Sequence, residues 1–282
     1  MSNTLENAPT SSRENPEALR KQVLSLMVNL PAMRGIYYQV VQELNDPSSS
    51  IDTVSRLIAT DPVMTGKVLQ LANSAALGFQ RRYHSPNEAV FALGGEKVKS
   101  IILFVEAFSI CSGIRVKNFS PEKLWRHSTQ VASAAQKIMA TQSGSQSDHD
   151  AAYTAGLLHD IGKLLLVRNV PIRYLKALDG AKSARSESAL FAERKEFGVT
   201  HADVGAIVLE SWDLPTVIVN AVGKHHDPSC LSDGSFGVHD AVAVANWSVH
   251  RNDGPSGEST DDDAMSIRIQ ELWDESTLGE WA

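Results

Sequence analysis

Two cysteines, Cys111 and Cys230, are all that the 282 residues contain, and they stand far apart with no CxxC spacing. That excludes a disulfide framework and a thiolate zinc site as organising features. Positive charge is also short. With 26 basic against 33 acidic residues the net charge is −7, and no long basic stripe exists. A dedicated nucleic-acid binder relies on neutralising phosphates, so a nucleic-acid partner is not expected. Long hydrophobic runs are missing too. The most apolar segment, Ile101–Ile110, is broken by Glu106 and too short to span a bilayer, so no membrane association is expected. The first residues, MSNTLENAPTSSRENPE, lack the positive-then-apolar order of a signal peptide. These absences together predict a cytoplasmic protein in a reducing compartment. Sustained apolar–polar alternation is absent, so no strands are predicted, and no internal repeat is visible.

What is present is helical punctuation. Residues 1–17, rich in Ser, Asn, Pro and Glu, read as a disordered tail. Asp61-Pro62 offers a cap followed by proline in the first turn, and Val63, Val68 and Leu71 follow at helical spacing. Ser85-Pro86-Asn87-Glu88 repeats the device as a capping box, with Gly94-Gly95 as the stop. Ser120-Pro121 opens another helix, Thr200 with Asp203 the next, and Pro215 one that ends at Asp227-Pro228. Near the end, the acidic NDGPSGESTDDD precedes Met265, Ile267, Ile269, Leu272 and Trp273, a pattern for a short amphipathic helix. The fold class predicted is all-α.

The chemistry concentrates in GLLHDIGK, where an apolar run ends in adjacent His159 and Asp160. A divalent ion needs imidazole nitrogens and carboxylate oxygens converging from separate rigid elements. Neighbouring His and Asp side chains both reach one ion only at a helix end or distortion, which Gly156 and Gly162 permit. His127 in LWRHS, His201 in FGVTHADVG and His225-His226 in KHHDP extend the set. Each has a plainer reading: His127 as a hydrogen-bonded core histidine, His201 as a capping residue, His226 as a solvated one. Their conjunction predicts one shared polar cavity. The first turn at His201, with its free N–H groups, also suits a phosphate, and Lys163 and Lys224 add positive charge for an anion.

In this order the motifs resemble a known family. LWRHS, AGLLHDIGKLLL, FGVTHADVGAIVLESWDLP and VGKHHDP follow the sequence of motifs in the HDOD family, a branch of the HD phosphohydrolase superfamily. The stretches DPVMTGKVLQLANSAALG and SPNEAVFALGGEKVKSIIL resemble that family's N-terminal signatures, so the likeness runs over residues 24 to 250. It implies two helical lobes: an N-terminal helical lobe over 18–117 and an HD-like lobe over 118–251, followed by an acidic loop at 252–264 and a short helix at 265–282. By position it makes His127, His159 and Asp160 metal ligands and likens His201, His225 and His226 to the extra histidines of HD-GYP phosphodiesterases. One divalent metal is implied, with Fe, Mn, Mg and Zn not distinguished.

Three departures stand out. The later ligand carboxylate falls at Asn246, a poor substitute for a charged oxygen donor. Asp240, earlier on the same predicted helix, should point elsewhere. Lys123 stands where some multi-metal relatives carry a carboxylate, and nothing like GYP follows HHDP. Two functional readings follow. The favoured one is a bacterial signalling module that binds a protein partner or nucleotide-like ligand in a groove near Asn73, Arg81, Arg82 and Lys99, with an incomplete metal site. The other is a metal-dependent phosphohydrolase in which Asp160 holds the ion and Lys163 stabilises developing phosphate charge.

Overall fold

The computed structural model describes residues 21–23, 25, 35–74, 77, 81–110, 119–142, 144–183, 189–231, 235–252 and 260–281. The expected tail over 1–17, Cys111 and most of the acidic loop lie outside them. Among the described residues there is no strand, and the chain is all-α.

The first lobe comprises α1 (Gly35–Asn45), α2 (Ile51–Ala59), α3 (Pro62–Ala72), α4 (Pro86–Leu93) and α5 (Gly95–Ile110). Its boundaries follow the predicted caps. Asp61 accepts from the N–H groups of Val63 and Met64, satisfying two orphan donors of α3. Ser85 caps α4, but Glu88 reaches past it to the N–H of His84, so the expected box is displaced by one residue. Gly94 ends α4 at φ 78°, a conformation that suits glycine, and Gly95 then starts α5 rather than closing α4.

The second lobe runs through α6 (Pro121–Thr141), α7 (Gln146–Leu158), α8 (Ile161–Asn169), α9 (Pro171–Ser183), α10 (Ala189–Phe197), α11 (His201–Ser211), α12 (Thr216–Lys224) and α13 (Val238–Asn252). The C-terminal segment forms two helices rather than one, α14 (Thr260–Leu272) and α15 (Glu275–Trp281). Trp281 donates to Thr141 Oγ1 at 3.0 Å, fastening α15 to the end of α6.

One apolar cluster runs through both lobes, from Tyr37 to Trp281, with Ile101–Val105 of α5 fully enclosed. Removing that apolar area from water is the main stabilising term and fuses the lobes. A smaller cluster joins Val23, Leu165, Tyr174, Phe197 and Val208 beneath α8 to α11. Trp212, at the end of α11, packs against both clusters. The His–Asp cluster lies where α6, α7, α8, α11, α12 and α13 converge.

Candidate metal centre

The His–Asp pair sits at a junction between two helices. His159 closes α7 and Asp160 precedes the first residue of α8, so two consecutive side chains turn inward. Gly156 and Gly162 serve a different purpose from the distortion expected of them: they permit close approach. A Cβ on Gly156 would lie 2.8 Å from Ala132 Cα on α6, and one on Gly162 would collide with the backbone carbonyl of His201. Glycine at these two places lets α7 press on α6 and α8 press on α11.

Asp160, 2% exposed at its side chain, faces separate partners with its two oxygens. Oδ1 lies 3.2 Å from His201 Nε2 and 3.8 Å from His225 Nε2. Oδ2 lies 2.9 Å from Lys163 Nζ, 3.4 Å from His159 Nε2 and 3.9 Å from His127 Nε2. Burial works against ionising Asp160, but His159 and Lys163 outweigh it and hold the carboxyl well below its usual range.

Three rings are pinned through Nδ1. His159 Nδ1 meets Gly156 O at 2.7 Å, His225 Nδ1 meets Val222 O at 2.7 Å, and His201 Nδ1 meets Glu193 Oε2 at 2.8 Å. Carbonyl and carboxylate oxygens only accept, so each Nδ1 carries a proton and donates. In the neutral ring Nε2 is then the lone-pair atom, and it faces the cluster. That is how proteins orient histidines toward a metal.

The fit to a cation is read from unmet polar atoms. Asp160 Oδ1 and the Nε2 atoms of His201, His225 and His226 are buried without an aligned hydrogen-bond partner. One atom from each of these residues falls within 4.8 Å of the other three. Leaving four such atoms unsatisfied is costly, and a divalent ion satisfies all of them at once. The donor set therefore fits a metal.

A second group, His127, His159 and Asp160, meets the same 4.8 Å condition and shares Asp160. It is differently furnished. His127 Nε2 is 2.9 Å from Asn246 Oδ1 and 3.3 Å from His159 Nε2, and Lys163 occupies Asp160 Oδ2. The His250 ring lies against His127 with centroids 4.4 Å apart. Burial and the neighbouring His159 push His127 down to about 2, so it is neutral. His225 and His226 are also driven well below the usual histidine value, first by burial and then by adjacent imidazoles. His201 goes the other way. Burial opposes its charge, but Glu193 and Asp160 lift it to about 9.

All six expected ligands, His127, His159, Asp160, His201, His225 and His226, are thus brought into one cluster, with Lys163 at its edge. Several other expectations change. In the first turn of α11 two of the N–H groups expected to suit a phosphate are already engaged: His201 N donates to Glu193 Oε2 at 2.7 Å and Asp203 N to the Thr200 cap. Asp240 accepts from Gly237 N at 2.7 Å, away from the cluster as predicted. Lys123 and Lys224 are exposed. Asn73 is spent on the backbone of Tyr83, and Lys99 on Asn45, so neither presents a free recognition group. A groove lies between α3 and α6. It encloses about 480 Å³ and is lined by Lys67, Gln70, Leu71, Ser74, Trp125 and Arg126 among others. Two contacts escaped sequence reasoning: Glu193, fully buried against His201, and His250 against His127.

A family model of the HDOD domain matches residues 30–228, most of the chain, from α1 through α12. The chain belongs to the HDOD family. Asn246 and His250 fall beyond the matched span. Among solved structures, an HDOD protein of unknown function from Geobacter sulfurreducens superposes with a TM-score of 0.66 at 22% identity, covering 91% of this chain and 95% of that one. A Shewanella amazonensis SB2B protein provisionally named a phosphohydrolase gives 0.66 at 21% identity, over 92% and 96% of the two chains. A provisionally named signal transduction protein of Marinobacter aquaeolei VT8 gives 0.64 at 18% identity, over 96% of this chain but 64% of that one. At these identities the likeness is one of fold. An uncharacterized protein of Treponema pallidum is 23% identical over 228 residues, which are 80% of this HDOD chain but 43% of the relative. No described helix is long and apolar enough to cross a membrane.

Proposed function

We propose that this HDOD protein is a bacterial signalling module that holds one divalent metal as a structural and regulatory element and acts by binding a partner or a small ligand. The observation that carries this reading is the asymmetry about Asp160. On the Oδ1 side stand the Nε2 atoms of His201, His225 and His226, a four-donor set with that oxygen. On the Oδ2 side stand an ammonium and an amide-bound histidine. Four protein donors close a tetrahedral shell, the signature of structural rather than catalytic zinc.

The ligand would enter the groove between α3 and α6. Helix α6 presents Trp125 and Arg126 to that groove and His127 to the metal cluster. Lys67 rests 4.0 Å above the Trp125 ring, so a cation and an aromatic wall stand ready for an anionic, nucleotide-like molecule or a partner's side chains. Its volume lies within the usual range of ligand pockets. Occupancy there is read out by α6, whose other face carries His127.

A thermal-shift series with divalent metals and nucleotides, paired with turnover of phosphate esters, tests this reading. Metal should stabilise the protein and no ester should be consumed. Steady metal-dependent hydrolysis would replace it with the second reading, a phosphohydrolase. That alternative draws on one observation, the placement of Lys163 against the ligand carboxylate, where its ammonium would also meet a phosphate. A bound divalent ion would supply Lewis-acid stabilisation of phosphoryl charge; Asp160, His201, His225 and His226 would hold it.

A further inference from the structure

We propose that Glu193 positions His201 for the metal and so links occupancy of the centre to docking of the α9–α10 hairpin. The inference rests on the metal reading above. Glu193 is fully buried, and Oε2 alone receives two hydrogen bonds from His201, from the backbone N–H at 2.7 Å and from Nδ1 at 2.8 Å. Its Oε1 has no partner. Burying a carboxylate is expensive unless its charge is used. Here it fixes the ring so that Nε2 points at Asp160.

His201 differs in this from the other oriented rings. His159 and His225 are held by carbonyls three residues back in their own helices, Gly156 O and Val222 O. Those contacts survive as long as the helix does. His201 is oriented by a separate element that supplies no ligand of its own. Glu193 reaches it because Gly198, at φ 73°, reverses the chain between α10 and α11. The remainder of α10 is fastened by Ala192 and Phe197 in the smaller apolar cluster and by Arg173, which donates to Glu196 Oε1 at 3.0 Å across the hairpin.

Withdrawing α10 therefore withdraws the carboxylate from His201. Linkage is reciprocal, so metal binding must favour the docked hairpin to the same extent that docking favours metal. A partner or ligand that displaces the hairpin would discharge the metal without touching a ligand residue.

The test compares wild type, Glu193→Gln and Glu196→Gln by cobalt(II) titration, the visible cobalt spectrum and hydrogen exchange. Glu193→Gln keeps the shape and one acceptor oxygen. It should bind cobalt(II) about 10- to 100-fold more weakly, the usual effect of losing such a support, with an altered cobalt spectrum. Cobalt should slow exchange across Ala189–Phe197 in wild type but not in this variant. Glu196→Gln, which loosens the hairpin surface alone, should keep the wild-type cobalt spectrum. If Glu193→Gln is unfolded without metal, Glu193→Asp is read the same way, its shorter reach weakening cobalt binding. Wild-type affinity and spectrum in a folded Glu193 variant would overturn this inference and leave the metal reading intact. No cobalt uptake by wild type would overturn both.

Discussion

His127 Nε2 and Asn246 Oδ1 lie 2.9 Å apart, so the amide engages the nitrogen that a metal at the second position would need. Either orientation of the amide gives the same conclusion, because its N and O ends both engage Nε2. A neutral side chain there neither offsets the charge of an ion nor competes for one as a carboxylate does. In the one-metal reading proposed above, Asn246 is the residue that keeps the second position from holding an ion.

Asn246→Asp should accordingly create a second position. Metal analysis of the dialysed variant should give two ions per chain where wild type gives one. A variant that still carries a single ion would show that Lys163, rather than Asn246, closes that side.

The two groups around Asp160 should respond differently to truncation. His225→Ala removes a donor from the complete set and should abolish the metal-induced rise in stability. That rise is on the order of 3 kcal/mol when metal exceeds its dissociation constant a hundredfold. His127→Ala should leave most of it. Urea unfolding with and without metal measures both, and equal losses in the two variants would contradict the assignment.

Acid and alkali should weaken the metal-free protein for separate reasons. His127, His225 and His226 are depressed below their unfolded values, so their neutral forms favour the fold above about pH 6.5. That stability is lost as pH falls toward the folded value, about 2 for His127. His201 is raised to about 9, so its protonated form stabilises fully below about pH 6.5 and the benefit disappears as pH climbs through 9. Metal must displace the His201 Nε2 proton. Between these limits binding should release one proton per ion, and affinity should rise about tenfold per pH unit. Calorimetry in buffers of different ionisation enthalpy counts that proton; a count of zero would contradict a protonated His201.

Gly162→Ala should push α8 away from α11, because the added methyl meets the carbonyl of His201. Overpacking of this kind costs about 1–3 kcal/mol. It should also separate Asp160 from His201 and lower metal affinity. Denaturant melts together with a metal titration check it; a stability loss without an affinity loss would show that α8 yields elsewhere.

Much of this was legible in the sequence because caps are local. Asp61, Ser85, Ser120 and Thr200 each capture N–H groups within three residues, and all four open helices where their side chains predict. The convergence of the histidines was legible through the order of motifs. Glu193 was not. FAERKEF places it three residues from Glu196, and nothing local distinguishes the fully buried carboxylate from the one that pairs with Arg173 at the surface. The difference arises from the turn at Gly198 and the docking of α10, a tertiary effect. The roles of Gly156 and Gly162 were hidden for the same reason, since close approach depends on which helix lies opposite. The engagement of Asn73 and Lys99 was hidden likewise, because their partners, Tyr83 and Asn45, come from folding.

Asp160 Oδ1, His201, His225 and His226 should together hold one metal ion, and the opposite side of Asp160 none. Native mass spectrometry of protein purified without chelators tests it most directly, with His201→Ala and His127→Ala alongside. A single ion per chain is expected in wild type and in His127→Ala, and none in His201→Ala. A wild-type protein that carries two ions, or that stays metal-free after incubation with each divalent cation, would contradict it.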